Sequence, residues 1–191
     1  FPRANAMVAV STAIAEEYRA DYHLNNCKVV HNPVATDYGQ PIQSSTPNHP
    51  FITRSEPIIL GMGRLKEQKG FAFLLEAFAE LRNTHNANLL ILGEGNERPN
   101  LEVTIEKMGL GEHVSLPGFV KNPLTYLRHT TVYALSSITE PFGLALVEAL
   151  SVGIPVVCTH TEGPMDIINH LDLGQLVQYG DVHGFAEALG R

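Results

Sequence analysis

Residues 58–81 read IILGMGRLKEQKGFAFLLEAFAEL. An apolar opening rich in β-branched residues predicts a strand over 58–62. Phe71, Leu74, Leu75, Phe78 and Leu81 then fall on one stripe and predict a helix over 68–83. Between them lies a glycine-bearing loop. Strand, glycine turn and helix make half of a βαβ unit, and the same alternation runs through the chain. Strands are expected at 7–10, 28–30, 58–62, 88–92, 114–116, 132–135, 155–158 and 175–177. Helices are expected at 11–22, 68–83, 98–108, 123–129, 143–152, 164–169 and 182–189, with Ser11 or Thr12 capping the first and Gly109 closing the third. Strands alternating with helices predict an α/β fold around a doubly wound parallel sheet of about six strands, most of them buried on both faces.

The stretch 34–55, rich in Pro, Ser and Thr, has no sustained periodicity and reads as a surface connection within one domain and one sheet. At 191 residues, with 44% apolar and 17% charged residues, the chain is a folded single domain. A net charge of -7 argues against nucleic acid as a partner. No run approaches the ~20 apolar residues of a membrane span. Cys27 and Cys158 are too few for a disulfide framework and read as buried thiols of a cytoplasmic protein. The start, FPRANAMVAV, does not resemble a targeting peptide and reads as a chain entered in the middle.

In open α/β sheets, ligands bind beyond the carboxyl ends of the strands. Two such ends carry chemistry here. In GMGRLKEQKG, residues 61–70, Gly63 lets backbone approach a ligand, and Arg64, Lys66 and Lys69 place three cations beside a helix start. A phosphate site and a solvated basic turn both fit. The loop is not a dinucleotide fingerprint, because Lys66 stands where the third glycine would fall, and it is not a P-loop. GEGNE, residues 93–97, has the same glycine logic without a cation and reads as structural.

The second end is EPFGLALVE, residues 140–148. Pro141 and Gly143 turn the chain, and the amides of Phe142, Gly143 and Leu144 are left for an anion at the helix start. Glu140 and Glu148 flank that position, and each carboxylate can accept two hydroxyl donors, which suits a nucleotide sugar. By spacing alone, a helix cap and a solvated surface glutamate fit better. His31 reads as a turn cap. The nine histidines form no metal pattern, and no D-x-D occurs, so no metal is expected.

SSITEPFGLALVEALSVGIPVVCTHTEGPMDII, residues 136–168, closely resembles the signature of retaining GT-B glycosyltransferases of the GT4 type. GRLKEQKG resembles that family's diphosphate loop, and VAVSTAIAEEY with VVHNPV resembles the opening of its second domain. The resemblance implies the Rossmann-like C-terminal half of a GT-B fold. It also implies a nucleotide diphosphate sugar, UDP preferred, as donor substrate, with no cofactor. Arg64 and Lys69 would bind the diphosphate, Glu148 the ribose, and the Phe142, Gly143 and Leu144 backbone the phosphate and sugar. Glu140 would contact the transferred sugar, and Gly118 and Val120, in GFVKN, would pack the base. Where the family has a glycine pair and a glutamate after its G-x-P-V-V strand, this chain has Glu162, Gly163 and Asp166.

The resemblance further implies an acceptor sugar, lipid or protein held by an N-terminal domain outside this sequence, and it allows peripheral membrane association of the intact enzyme. The expected activity is sugar transfer with retention, the fragment alone being inactive. The alternatives are a nucleotide-sugar-binding module and a nucleotide-sugar epimerase of the same architecture.

Overall fold

The computed structural model describes residues 7–23, 26–33, 46–168 and 173–191. Residues 34–45 of the expected connection, and Asn169 at the end of one expected helix, lie outside them. In chain order the elements are β1 (Met7–Ala9), α1 (Thr12–Tyr22), β2 (Cys27–Val29), β3 (Ile58–Met62), α2 (Phe71–Leu81), β4 (Asn88–Leu92), α3 (Arg98–Lys107), β5 (Val114–Gly118), α4 (Leu124–Leu127), β6 (Val132–Leu135), α5 (Leu144–Ser151), β7 (Val156–Thr159), α6 (Glu162–Ile168), β8 (Gly174–Val177) and α7 (Val182–Leu189).

Six parallel strands form the main sheet in the order β5-β4-β3-β6-β7-β8. Ile59, Leu89, Ile91, Val132, Ala134 and Val157 face α2, α3 and α7 on one side. Ile58, Leu60, Leu90, Tyr133, Leu135 and Cys158 face α4, α5 and α6 on the other. Both faces are covered, so β3 and β4 carry no polar alternation and every one of their residues is buried. Phe78 of α2 is fully buried, a contribution of about 2–3 kcal/mol for a side chain of that size. Pro117 falls in β5, which lies at the sheet edge where a missing N–H costs no ladder bond.

The single-sheet expectation is corrected at the first two strands. β1 and β2 pair in parallel with each other and form a separate two-stranded sheet. Each has three residues and only one buried position, too little apolar surface for a place inside the main sheet. With α1 they enclose a small cluster of Ala9, Ala15 and Cys27. Ser11 caps α1, its hydroxyl accepting from Ile14 N at 3.4 Å. The unit is tied to the main domain where Thr12 N donates to Asp166 Oδ2 of α6 at 2.6 Å.

α2 begins three residues later than expected, because Gly70 adopts a left-handed φ of 61° and divides a 3₁₀ turn, Glu67–Lys69, from the helix. The connection is also less featureless than its composition suggested. His49 caps a 3₁₀ turn, Pro50–Thr53, that buries Phe51 against the main sheet, with the Arg54 guanidinium 4.9 Å from the ring centroid.

Candidate functional site: the strand-end cleft

The chain leaves β3 for β4 and β5 on one side, then returns to lay β6, β7 and β8 on the other. The order reverses between β3 and β6, so the loops after these two strands part and leave a crevice. Both chemistry-bearing stretches are those two loops. Gln68 ties them together: its backbone carbonyl accepts from Ile138 N at 2.8 Å and its Nε2 donates to Thr139 Oγ1 at 3.0 Å. Ser136 Oγ adds a bond to the Lys69 carbonyl at 2.9 Å.

Lys69 Nζ lies 2.5 Å from Glu140 Oε2. That oxygen also accepts from Ser137 Oγ at 3.2 Å, and Thr159 Oγ1 holds the Ser137 carbonyl at 2.6 Å. Glu140 is 8% exposed, so its carboxylate is presented in a fixed direction. The other oxygen, Oε1, accepts no bond among the described residues. The ammonium keeps two further donors for a ligand.

Gly143 starts α5 from a left-handed φ of 93°. Among the described residues, the amides of Phe142, Gly143 and Leu144 donate to no protein acceptor, as the first amides of a helix must unless a cap or ligand takes them. The turn is wedged from behind by Gly163: a Cβ there would sit 2.3 Å from the Phe142 carbonyl oxygen. The Gly163 amide donates to the Glu140 carbonyl at 2.8 Å.

A cavity of about 530 Å³ opens beside the ion pair, between the ends of β3, β4 and β5 and the start of α5. Gly63, Arg64, Val120, Leu144 and Glu148 line it, so the structure gathers these five expected residues from three segments into one place. Lys69 runs along Gly63, where a Cβ would meet its side chain at 3.4 Å. Gly118, Phe142 and Gly143 lie close to lining residues in sequence and are not themselves part of the lining. Arg64 is exposed and has no side-chain partner among the described residues. Glu148 is half-buried, and burial raises its carboxyl above the usual range. A hydroxyl donor would favour the ionised form again.

Glu94 and Phe119 also line the cavity, and the sequence reading missed both. The structural reading of GEGNE holds for its glycines: a Cβ on Gly93 would fall 1.9 Å from the Gly63 carbonyl oxygen. It overlooked the carboxylate between them, for which a charged residue at a strand end was the available signal. His31 Nδ1 donates to the Val10 carbonyl at 3.0 Å, as a turn cap does, and its ring centroid lies 5.7 Å from that of Phe142. Burial and, to a smaller extent, Glu140 push the Cys158 thiol far above its ordinary value, so it is chemically quiet. Cys27 is also a buried free thiol. Among the described residues no three of His, Cys, Asp and Glu converge, and no helix is long and apolar enough to cross a membrane.

A doubly wound sheet whose switch point carries a cation-rich loop, two carboxylates and open helix-start amides defines the C-terminal Rossmann-like domain of a GT-B glycosyltransferase. The chain belongs to the family described as "Glycosyl transferases group 1", whose profile matches residues 45–191. It is 36% identical over 133 residues to the lipopolysaccharide core biosynthesis glycosyltransferase LpsE of Rhizobium meliloti, covering 70% of this chain and 38% of LpsE. Over 193 residues it is 28% identical to N-acetylgalactosamine-N,N'-diacetylbacillosaminyl-diphospho-undecaprenol 4-alpha-N-acetylgalactosaminyltransferase of Campylobacter jejuni, covering 99% of this chain and 51% of that enzyme. Among solved structures, TarM of S. aureus, in complex with Fondaparinux, alpha-GlcNAc-glycerol and UDP, superimposes with a TM-score of 0.83 at 21% identity. That match covers 99% of this chain and 37% of TarM. The chain thus spans about two fifths to half of the length of these proteins.

Proposed function

We propose that this domain binds the donor of a retaining glycosyltransferase, a nucleotide diphosphate sugar with UDP as the nucleotide. The observation that carries the reading is the Lys69–Glu140 ion pair standing beside a cavity lined by Arg64 and Glu148. Arg64 forks onto diphosphate oxygens, and the Phe142, Gly143 and Leu144 amides take others. Glu148 accepts from the ribose hydroxyls. Glu140 offers its free oxygen to the transferred sugar and stabilises positive charge at the anomeric carbon. As the bond from that carbon to the diphosphate breaks, negative charge grows on the leaving group, and Arg64 and Lys69 already face it.

Cationic side chains and amides supply this neutralisation, so the transfer is proposed to need no metal. Gly118 and Val120 support the base through their backbone. The acceptor, a sugar, lipid or protein, is held by a further domain of the intact enzyme, which works in the cytoplasm and associates peripherally with a membrane where the acceptor is a lipid. This chain alone binds donor without turning it over, because the reaction needs a cleft closed from both sides. UDP in the TarM complex supports the choice of nucleotide. Calorimetric titration of UDP, GDP, ADP and UDP-sugars tests the reading. Binding that weakens about tenfold in Glu148→Ala, the loss of one charge-assisted contact, is expected; a folded chain that binds none of them refutes it.

A further inference from the structure

The cavity lining holds three ionisable side chains, Arg64, Glu94 and Glu148. Arg64 and Glu148 have tasks in the proposed function, and Glu94 has none. It stands just beyond β4 on the wall it shares with Phe119 and Val120; its backbone carbonyl accepts from Leu65 N of the cationic loop at 2.9 Å, while its side chain lies beside Arg98 and Gly118. Arg98 holds it from one side, Nε donating to Oε2 at 2.8 Å and Nη2 to Oε1 at 2.7 Å. The same guanidinium reaches Glu102 Oε1 at 2.9 Å and the Leu116 carbonyl at 3.2 Å. A two-pronged grip of this kind fixes the plane of the carboxylate and keeps it ionised, while each oxygen retains an acceptor site. Gly118 makes room for it: a Cβ there would fall 2.9 Å from Oε1. Phe119, 79% exposed, adds a bare aromatic surface at the same wall, suited to the face of a planar ring.

We propose that Glu94 reads the nucleobase, its carboxylate accepting the N–H on the edge of the base, which in uracil is N3–H. The inference rests on the nucleotide-sugar reading and deepens it, adding a side-chain contact to base packing otherwise made by backbone. An oriented carboxylate discriminates because it accepts from a ring N–H and repels an edge that offers only carbonyl oxygens or a methyl group. Arg98 acts through Glu94 and is a positioning residue.

The test is calorimetric titration of UDP and of UDP methylated at N3 into this chain and its Glu94→Ala, Glu94→Gln and Glu148→Ala variants, each checked for folding by circular dichroism. The chain should prefer UDP over the methylated nucleotide by about tenfold or more, as expected for a lost charge-assisted bond. In Glu94→Ala the preference should collapse to about twofold or less, with Glu94→Gln in between, since its amide keeps one acceptor oxygen but is neutral and has a donor in place of the other. Glu148→Ala should weaken both nucleotides alike and leave the preference intact. A preference that survives Glu94→Ala, or one that is absent from the unmutated chain, overturns the role of Glu94 while the loss in Glu148→Ala still upholds the donor site. If neither nucleotide binds the folded chain, both readings fall together.

Discussion

Lys69 and Glu140 are 71 positions apart in sequence and 2.5 Å apart in space. One leaves β3 and the other leaves β6, so the contact is made by the sheet order rather than by any local pattern. Lys69→Ala strands a carboxylate that is 8% exposed. The expected cost is about 1–3 kcal/mol in urea unfolding, the range for leaving a buried polar group unpaired. Adding Glu140→Gln should recover part of it, because the orphaned charge is then gone. Full additivity of the two losses would show that the pair does not interact.

Arg64 offers the opposite case. Its side chain is exposed and has no partner among the described residues, so Arg64→Ala should leave the unfolding midpoint within about 0.5 kcal/mol of the starting value. Nucleotide affinity should nevertheless fall about tenfold, the value of a lost charge-assisted contact. In the intact enzyme, turnover should fall too. A stability loss without an affinity loss would remove Arg64 from the site.

Glu148 makes binding depend on pH. Burial raises its carboxyl above the usual carboxylate range, and only the ionised form accepts both ribose hydroxyls. UDP affinity should strengthen as pH rises through that raised value, and Glu148→Gln should flatten the curve between pH ~4 and ~7. The sign for stability is reversed. The raised group favours the protonated fold, so its contribution is fullest below the ordinary carboxylate value and declines as pH climbs through the raised one. At neutral pH, Glu148→Gln should therefore melt slightly higher in the absence of nucleotide.

The turn that presents Phe142, Gly143 and Leu144 should be the part of the site most sensitive to bulk. Gly163→Ala places a methyl group 2.3 Å from the Phe142 carbonyl oxygen and 2.4 Å from its carbon. Backbone must move, and the amides move with it. The expected result is a tenfold or greater loss of UDP affinity in a chain that still unfolds cooperatively, the loss that about 1 Å of misplacement can bring. Unchanged affinity would mean that these amides do not hold the ligand.

Asn88 opens β4 with both polar atoms of its amide buried and, among the described residues, without a partner. Such a group costs about 1–3 kcal/mol. Asn88→Val, which removes both polar atoms and is at home in a strand, should raise the melting temperature, and a lower one would mean that the amide is satisfied by a trapped water.

Much of this molecule could be read before its structure, and for a physical reason. The short, wholly buried runs of β3 and β4, bounded by glycine turns, and the apolar stripe of α2 are local signals, so strand and helix positions followed from the residues themselves. Arg64, Gly63, Leu144 and Glu148 could be proposed as neighbours because glycine turns at strand ends converge on one edge of a parallel sheet. Sheet membership is a non-local property. Nothing in MVA or CKV says which strand they pair with, although exposed Val8 and Lys28 in the middle of those triplets argue against a central place. The grip of Arg98 on Glu94 was within reach, since the two are four residues apart. The wall it serves is shared with Phe119 and Val120, just beyond β5, and only the folded chain brings them together.

The reversal of strand order between β3 and β6 also has a consequence for assembly. Lys69 is in place once the first half of the main sheet forms, but its counter-charge arrives only with β6, after α2, β4, α3, β5 and α4 have been threaded between them. Contacts of such long sequence separation are made late, because the closure entropy of the intervening chain must be met first. Ligand affinity in this domain therefore reports on completion of the whole sheet, and a nucleotide that binds there holds the two halves of the chain together.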